Sequence, residues 1–242
     1  MLGLAKDESL MINGNILTQL KISVMKRTLF ILAIIAGAMM VSCNPDDDDG
    51  NNNNGGNNGN GQHNGHEYVD LGLPSGVKWA TCNVGANKPE EYGYYFAWGE
   101  TRPKTEYTEE NSLTCGKQMS DISGNVNYDA ATANWGGDWR MPTNYELGEL
   151  RDECIWTWTM QNGVEGCNVK GPSGNSIFLP AAGYRYGTSL SYDGFDGHYW
   201  SSTPYESYSY EAYFLDFGSS YSYQNVGWRG RHSGLPVRPV AE

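Results

Sequence analysis

Tyrosine and serine are concentrated in one segment near the carboxyl end of the chain. Residues 184–223 hold ten of the 17 tyrosines together with nine serines. Tyrosine offers a large contact area at low entropic cost, and tryptophan, tyrosine and arginine dominate the energetics of binding surfaces. The segment and the residues after it therefore predict a ligand-binding face, formed by Tyr205, Tyr208, Tyr210, Tyr221, Tyr223, Trp228, Arg229 and Arg231.

An ordinary sheet surface would explain the same composition, because tyrosine favours strands that are half exposed. Under this alternative the aromatic rings cover the sheet and bind nothing. Four residues of the segment are expected in the core under either interpretation: Trp200, Tyr213, Phe214 and Phe217. The sequence leaves both interpretations open.

The histidines give little support for nucleophilic catalysis. His63 and His66 lie in a segment rich in Asn and Gly, where nothing is expected to hold them. His198 precedes the run 199–202, so a Ser–His pair is conceivable, but successive strand residues point to opposite faces and no G-x-S-x-G elbow is present. We expect His198 at a strand end or on the surface.

The carboxylates Glu206, Glu211 and Asp216 show no spacing that marks two of them as an acid–base pair. The chain also has no phosphate-binding loop and no dinucleotide fingerprint. Because phosphate binding needs a basic face, the formal net charge of -12 argues against a nucleic-acid partner. We therefore expect a protein that is not an enzyme and needs no cofactor.

Four cysteines follow residue 66, and their spacing is not that of a metal site. They are Cys82, Cys115, Cys154 and Cys167. An oxidising compartment would permit one or two disulfides, and the sequence does not choose among the three full pairings. Asp193 and Asp196 could hold calcium with loop carbonyls, but a Gly-Asp surface turn is the favoured interpretation. No metal is expected.

The amino-terminal third contains a segment that resembles the signal of a bacterial lipoprotein. Lys26 and Arg27 precede an apolar run at 29–40, and small residues then lead to Cys43. The resemblance implies cleavage before Cys43, lipid on its thiol and attachment to the outer membrane. Residues 1–24 do not fit a signal and are expected to be a misannotated upstream extension, so that 25–42 is the signal peptide.

A polar segment separates the cysteine from the rest of the chain. Residues 43–66 are rich in Asp, Asn and Gly and are expected to form a disordered tether. The acidic run at 46–49 resembles the export tag on surface lipoproteins of the Bacteroidetes type, which implies that the protein faces the cell exterior. The folded domain is expected at 67–242.

Short strand-like segments alternate with Gly-, Pro- and Asn-rich turns through this domain. Strands are predicted at 68–71, 77–82, 92–98, 155–160, 166–170, 176–180, 199–202, 212–217 and 235–240. A capping box, with Thr143 as N-cap and Glu146 three residues later, predicts a helix over about 144–154. A weaker helix is expected around 129–134. The sequence therefore predicts an α+β fold with short antiparallel strands, one clear helix and long loops.

Several motifs in order resemble the Fibrobacter succinogenes major paralogous domain family. They are the segments 67–101, 134–150 (NWGGDWRMPTNYELGEL), 176–187 (SIFLPAAGYRYG), 199–203 (YWSST) and 234–240 (GLPVRPV). The W-R-x-P-T-x-x-E helix start and the G-x-x-V-R end also resemble C-type-lectin-like and sulfatase-modifying folds. The resemblance implies a compact lectin-like domain with the helix packed on an antiparallel sheet, and it implies no settled activity.

The sequence thus predicts a surface-displayed lipoprotein with a non-enzymatic domain that binds a glycan or a protein. A structural or adhesive subunit of a surface assembly is the alternative, in which the tyrosine-rich face would be covered by a partner chain. An enzyme acting on polysaccharide is a more distant alternative.

Overall fold

A computed structural model describes residues 60–219 and 223–242. Cys43, the signal peptide at 25–42, the extension at 1–24, tether residues 43–59 and Tyr221 lie outside the described residues, so the predictions made for them remain predictions. Among the described residues, no helix is long and apolar enough to cross a bilayer.

Twelve strands form three sheets in the described part of the chain. The first contains β1 (Asn60–His63), β2 (His66–Asp70), β3 (Lys78–Ala80) and β12 (Val240–Ala241), in that spatial order. The second contains β4 (Ile155–Gln161), β5 (Val164–Lys170) and β6 (Ser176–Pro180). The third contains β7 (Ala182–Tyr186), β8 (Ser189–Asp193), β9 (Asp196–Pro204), β10 (Glu211–Gly218) and β11 (Gln224–Gly230), in the order β11-β10-β9-β7-β8.

The five-stranded sheet carries the tyrosine-rich segment. Strand β11 forms one edge of this sheet and pairs with β10 in antiparallel register, with Trp228 opposite Tyr213. Strands β9 and β10 are also antiparallel, whereas β7 meets β9 in a short parallel contact between Gly183 and Gly197. Because side chains alternate along a strand, the residues of β10 and β11 divide between two faces of the sheet.

Two helices occur among the described residues. Helix α1 (Ala130–Trp135) begins at the N-cap Asp129, whose carboxylate accepts hydrogen bonds from the backbone N–H groups of Ala131 and Thr132. Helix α2 (Asn144–Glu153) begins with the predicted capping box of Thr143 and Glu146. Arg140 also forms an ion pair with Glu146, with 2.6 Å between Nη2 and Oε1. The start of α2 is therefore fixed by side chains on both sides of the cap.

The core lies on both faces of the five-stranded sheet. Tyr199, Leu215 and Phe217 belong to one buried cluster, which also contains Leu147 and Leu150 of α2. Trp200, Phe214 and Ala212 belong to a second cluster on the other face. Three of the four expected core aromatics, Trp200, Phe214 and Phe217, are thus buried, whereas Tyr213 is only half buried.

The predicted fold class, α+β, is wrong. About 41% of the described residues lie in strands or bridges and 9% in helices, so the fold is β-rich. The strong α2 motif favoured a larger helical share, and strands β1, β7, β8 and β11 were not predicted, because their residues are polar, tyrosine-rich or interrupted by glycine. The predicted strands at 92–98 and 235–240 meet in an isolated bridge between Phe96 and Leu235. The expected lectin-like arrangement of a helix on a sheet describes only the contact of α2 with β9, β10 and β11.

The predicted boundary between tether and domain, at residue 67, lies inside strand β2. Strand β1 is already paired with β2, from Asn60 opposite Val69 to His63 opposite His66. The backbone oxygen of His63 accepts a hydrogen bond from Nε1 of the buried Trp139, and the ring of His66 stacks on Trp135 with 3.7 Å between centroids. These aromatic contacts hold a hairpin that the Asn- and Gly-rich sequence did not predict.

Candidate binding site

Three aromatic residues contact one another at the β11 edge, and we call this cluster the aromatic platform: Tyr205, Tyr213 and Trp228. The rings of Tyr205 and Trp228 are stacked, with centroids 4.8 Å apart and planes 6° apart. Tyr213 meets Tyr205 edge to face, with centroids 5.5 Å apart. Trp228 remains 54% exposed, so the stacked pair offers an aromatic surface to solvent.

Backbone hydrogen bonds hold the platform in place. Tyr205 follows β9 directly, and its N–H donates to the oxygen of Glu211 at the start of β10. The N–H of Glu211 in turn donates to the oxygen of Tyr208. Because the connection between β9 and β10 is closed by these bonds and Trp228 is fixed in the β10–β11 register, little ordering should be needed when a ligand binds.

A groove of about 450 Å³ begins beside the platform and runs between α2 and the β10–β11 pair. Tyr213 belongs to both the platform and the groove, and Val226 lines the same wall. On the helix side, four of the lining residues share helical spacing: Tyr145, Gly148, Glu149 and Asp152. Tyr145 is 69% exposed, so a second aromatic ring is available on the opposite bank.

Charged groups line the rim of this groove. Arg151 and Asp152 form a two-point ion pair, with 2.6 Å between Nε and Oδ1. The hydrogen bond from Arg151 lowers the pKa of Asp152, so that the pair is charged at neutral pH. Exposed donors and acceptors beside aromatic rings are the combination that recognises a polar ligand with an apolar face.

The helix side of the groove was missed by sequence reasoning, although a signal for it exists. Positions 145, 148, 149 and 152 share one face of α2, and this face carries an exposed tyrosine and a glycine beside the charged Glu149 and Asp152. Nothing lies within 4 Å of the position that a Cβ on Gly148 would occupy. The missing side chain therefore leaves the groove open.

The other predicted tyrosines are distributed over the connections of the sheet. Tyr208 and Tyr210 stack on each other at the β9–β10 turn, with centroids 5.2 Å apart, and Tyr208 is 54% exposed. Tyr223 lies at the other end of β11 and donates from its hydroxyl to Oδ2 of Asp216 at 3.4 Å. The predicted face is therefore not continuous, and only Tyr205 and Trp228 of the predicted set meet in the platform.

The predicted place of Arg231 in a binding face is wrong. Arg231 is 1% exposed and donates to the backbone oxygens of Glu211, Thr114 and Lys117. Its guanidinium also lies 4.4 Å from the ring centroid of Trp98. Arg231 therefore joins the loop at 114–117 to the sheet. Arg229 is partly exposed, but its side chain leaves β11 on the face opposite Trp228.

His198 was predicted at a strand end or on the surface; it is the third residue of β9, and the surface position is wrong. His198 is 5% exposed, and its ring contacts Tyr184 and Phe214. Its Nδ1 lies 3.4 Å from Oδ1 of Asp216 on β10, but the geometry is not that of a hydrogen bond, and both atoms are buried without another partner among the described residues. Burial, followed by the charge of Arg229, lowers the pKa of His198 to about 3. Burial also raises the pKa of Asp216 to about 6, with Asp196 adding repulsion.

The cysteines form no disulfide in the described residues, so the pairing left open by the sequence does not arise there. The Sγ atom of Cys115 instead lies 3.9 Å from Nδ1 of His232, and a separation of 117 positions along the chain hides this contact from sequence reasoning. Burial raises the pKa of the Cys115 thiol and lowers that of His232. Both shifts favour neutral forms, which is the opposite of an activated thiolate–imidazolium pair.

No group of His, Cys, Asp and Glu side chains suited to a metal ion occurs in the part of the chain that the structure describes. Asp193 and Asp196 flank the turn between β8 and β9, as the surface-turn interpretation predicts.

The comparisons with known proteins give one partial match. Residues 141–240 match the family described as "Domain of unknown function (DUF8237)". This similarity covers α2, the three-stranded sheet, the five-stranded sheet and the platform, but less than half of the chain. No curated protein and no solved structure matches the chain.

Proposed function

We propose that this protein binds a glycan without chemical conversion, through the aromatic platform and the adjoining groove. The observation that carries the proposal is the stacked pair of Tyr205 and Trp228, whose ring planes are parallel to within 6° and of which Trp228 is 54% exposed. The π-face of an aromatic ring is electronegative and attracts the weakly positive C–H groups of a sugar ring. The flat face of an exposed ring that is held by stacking is better suited to a sugar face than to an irregular protein surface.

The groove supports a ligand of several sugar units. Its volume of about 450 Å³ is in the range of pockets that hold small molecules. Tyr145 and Tyr213 provide ring surfaces on its two banks, and the Arg151–Asp152 pair provides donors and acceptors for hydroxyl groups. A chain of sugars that begins on Trp228 would continue into the groove past Tyr213.

Display at the cell surface is part of the same proposal. The signal-like segment before Cys43 and the acidic, Asn- and Gly-rich residues after it favour a lipid anchor and a tether. Such a tether would hold the folded unit away from the outer membrane, with the β11 edge accessible to soluble or cell-bound polysaccharide.

Trp228→Ala tests the proposal on an array that carries both glycans and proteins. We expect the full-length protein to bind glycans and the variant to bind the same glycans with an affinity lower by about tenfold or more. Because Trp228 is 54% exposed, its loss should change the free energy of unfolding by only about 1 kcal/mol.

Tyr128→Ala is the matched control, because Tyr128 is also an exposed aromatic residue, at 40%, but lies before α1. This variant should bind as the unchanged protein does. Equal binding by Trp228→Ala, or binding to proteins alone, would contradict the proposal.

A further inference from the structure

Arg229 stands one residue after Trp228 but faces the other side of the five-stranded sheet. Its guanidinium carbon lies 3.5 Å from the ring centroid of Tyr184 and 5.7 Å from that of Phe214. Within the described residues, the side chain donates no hydrogen bond and has no carboxylate at ion-pairing distance. The guanidinium is thus held in position by stacking while its N–H groups stay available.

Other arginines of this domain use their donors internally. Arg231 donates to three backbone oxygens, and the buried Arg238 donates to Asn83, Ala80, Thr81 and Phe178. Asp216 is on the same face of the sheet as Arg229, but its carboxylate lies beside His198 and accepts a hydrogen bond from Tyr223. The folding of the domain therefore does not consume the donors of Arg229.

Tyr192 approaches the same place from β8 with an unusual backbone. Its φ is 61°, in the left-handed region that a bulky aromatic residue rarely adopts. The opposite residue, Gly183, has a φ of 58°, and a Cβ there would collide with the backbone oxygen of Ser191. Backbone strain of this kind persists where the surrounding structure holds it and is concentrated at functional sites.

The strained backbone places the Tyr192 ring on Tyr184. The two rings stack with centroids 5.8 Å apart and planes 18° apart, while Tyr192 stays 56% exposed. Tyr186 is two residues beyond Tyr184 on the same face of β7 and is 61% exposed. Two accessible tyrosine rings therefore flank Tyr184, the ring on which the guanidinium of Arg229 stacks.

We propose that this face, formed by Arg229, Tyr184, Tyr186 and Tyr192, binds the carboxylate of an acidic saccharide. The planar fork of a guanidinium matches a carboxylate through two parallel hydrogen bonds, and stacking on Tyr184 fixes the plane of the fork. The flanking tyrosines provide surfaces for the sugar ring that bears the carboxylate. This site is on the opposite face of the sheet from the aromatic platform, so binding at this site should not depend on Trp228.

Calorimetric titration of the full-length protein in mild detergent tests this site with a trimer of galacturonic acid and with its methyl ester. We expect the acid to bind about tenfold more tightly than the ester, because the ester cannot accept the charged two-point contact. Arg229→Gln should remove this difference, and Arg229→Lys should restore only part of it, since an ammonium keeps the charge but loses the fork.

Arg185→Gln is the matched control. Arg185 also stacks on a tyrosine, 5.0 Å from the centroid of Tyr95, but leaves β7 on the side opposite Tyr184. Arg185→Gln removes the same charge as Arg229→Gln and should preserve the preference for the acid over the methyl ester. Equal affinities for acid and ester in the unchanged protein, or equal losses in both arginine variants, would overturn the proposal.

Tyr192→Gly provides a second test that does not depend on the fold of the Arg229 variants. Glycine adopts a positive φ freely, so this variant should melt at a temperature no lower than the unchanged protein. It should nevertheless bind the acid several-fold more weakly. Undiminished binding by this variant would contradict the role of the strained tyrosine.

Discussion

Replacing Asp216 by Asn should change how the stability of the domain depends on pH. Asp216 and His198 lie on neighbouring strands, with Oδ1 and Nδ1 3.4 Å apart. Burial raises the pKa of Asp216 from 3.8 to about 6 and lowers that of His198 from 6.5 to about 3. The two shifts have opposite effects on the proton balance of folding.

Between pH 3.8 and 6 the unfolded chain carries a proton on His198 and an ionised Asp216. The folded protein carries a neutral His198 and a protonated Asp216 over the same window. Both states therefore hold one proton, and the pair adds almost no pH dependence. Without the carboxylate, the unfolded state binds one proton more than the folded state below pH 6.5, so stability must fall as pH falls.

The magnitude follows from the shift of Asp216. A shift of about two pKa units corresponds to about 3 kcal/mol when the whole window is crossed. Between pH 7 and pH 4 most of that window is crossed. Asp216→Asn should therefore lose about 2 to 3 kcal/mol of unfolding free energy relative to the unchanged protein over this range.

Urea denaturation at pH 7, 6, 5 and 4, followed by tryptophan fluorescence, measures this difference. All other titrating groups are shared, so the difference between the two curves isolates the pair. Asp152→Asn is the control. The hydrogen bond from Arg151 lowers the pKa of Asp152, so this variant should gain stability relative to the unchanged protein as the pH falls. The size of this gain should be smaller, since Asp152 is exposed. Parallel curves for Asp216→Asn and the unchanged protein would refute this account of the buried pair.

Two further predictions concern the core and the anchor. Arg231→Met should reduce the free energy of unfolding by about 3 kcal/mol, because three backbone oxygens lose their donor. Arg102 is exposed, so Arg102→Met should change the free energy of unfolding little in the same chemical denaturation. A loss as small as that of the control would contradict the structural role of Arg231. Cys43→Ala should abolish incorporation of labelled fatty acid and release the protein from the membrane fraction; continued labelling would contradict lipidation at Cys43.

Local signals in the sequence were sufficient to predict α2. Its capping box lies within four residues, and the side-chain bonds of Thr143 and Glu146 form as predicted. Strands β4, β5 and β6 were also predicted within a few residues, because β-branched and aromatic residues recur there between turn residues. Such elements depend on residues that are near one another in the chain.

The missed elements depend on distant partners. Strand β1 is held by Trp139, more than 70 residues away, and its own sequence of Asn, Gly, Gln and His gives no strand signal. Strand β11 contains Gly227, and its pairing with β10 supplies the order that its composition lacks. The β-rich class follows from these pairings, which a search for local patterns does not detect.

The candidate site, like the fold, could be predicted from the sequence only in part. Composition placed Tyr205 and Trp228, which stack on each other in the structure, in the predicted binding face. It could not separate the two faces of β11, and so it grouped Arg229 and Arg231 with them. The strand register decides the face, and the register depends on β10. Tyr145 joins the site only because α2 packs beside β10 and β11.

The most direct test of the glycan-binding proposal is the indole N–H signal of Trp228 in a ¹H–¹⁵N spectrum of the labelled protein. The chain has 8 tryptophans, and the Trp228 signal is the one that Trp228→Phe removes. On addition of a glycan identified on the array, this signal should shift, while that of the fully buried Trp200 should stay in place. A titration in which the glycan binds and the Trp228 signal does not move would contradict the proposed site.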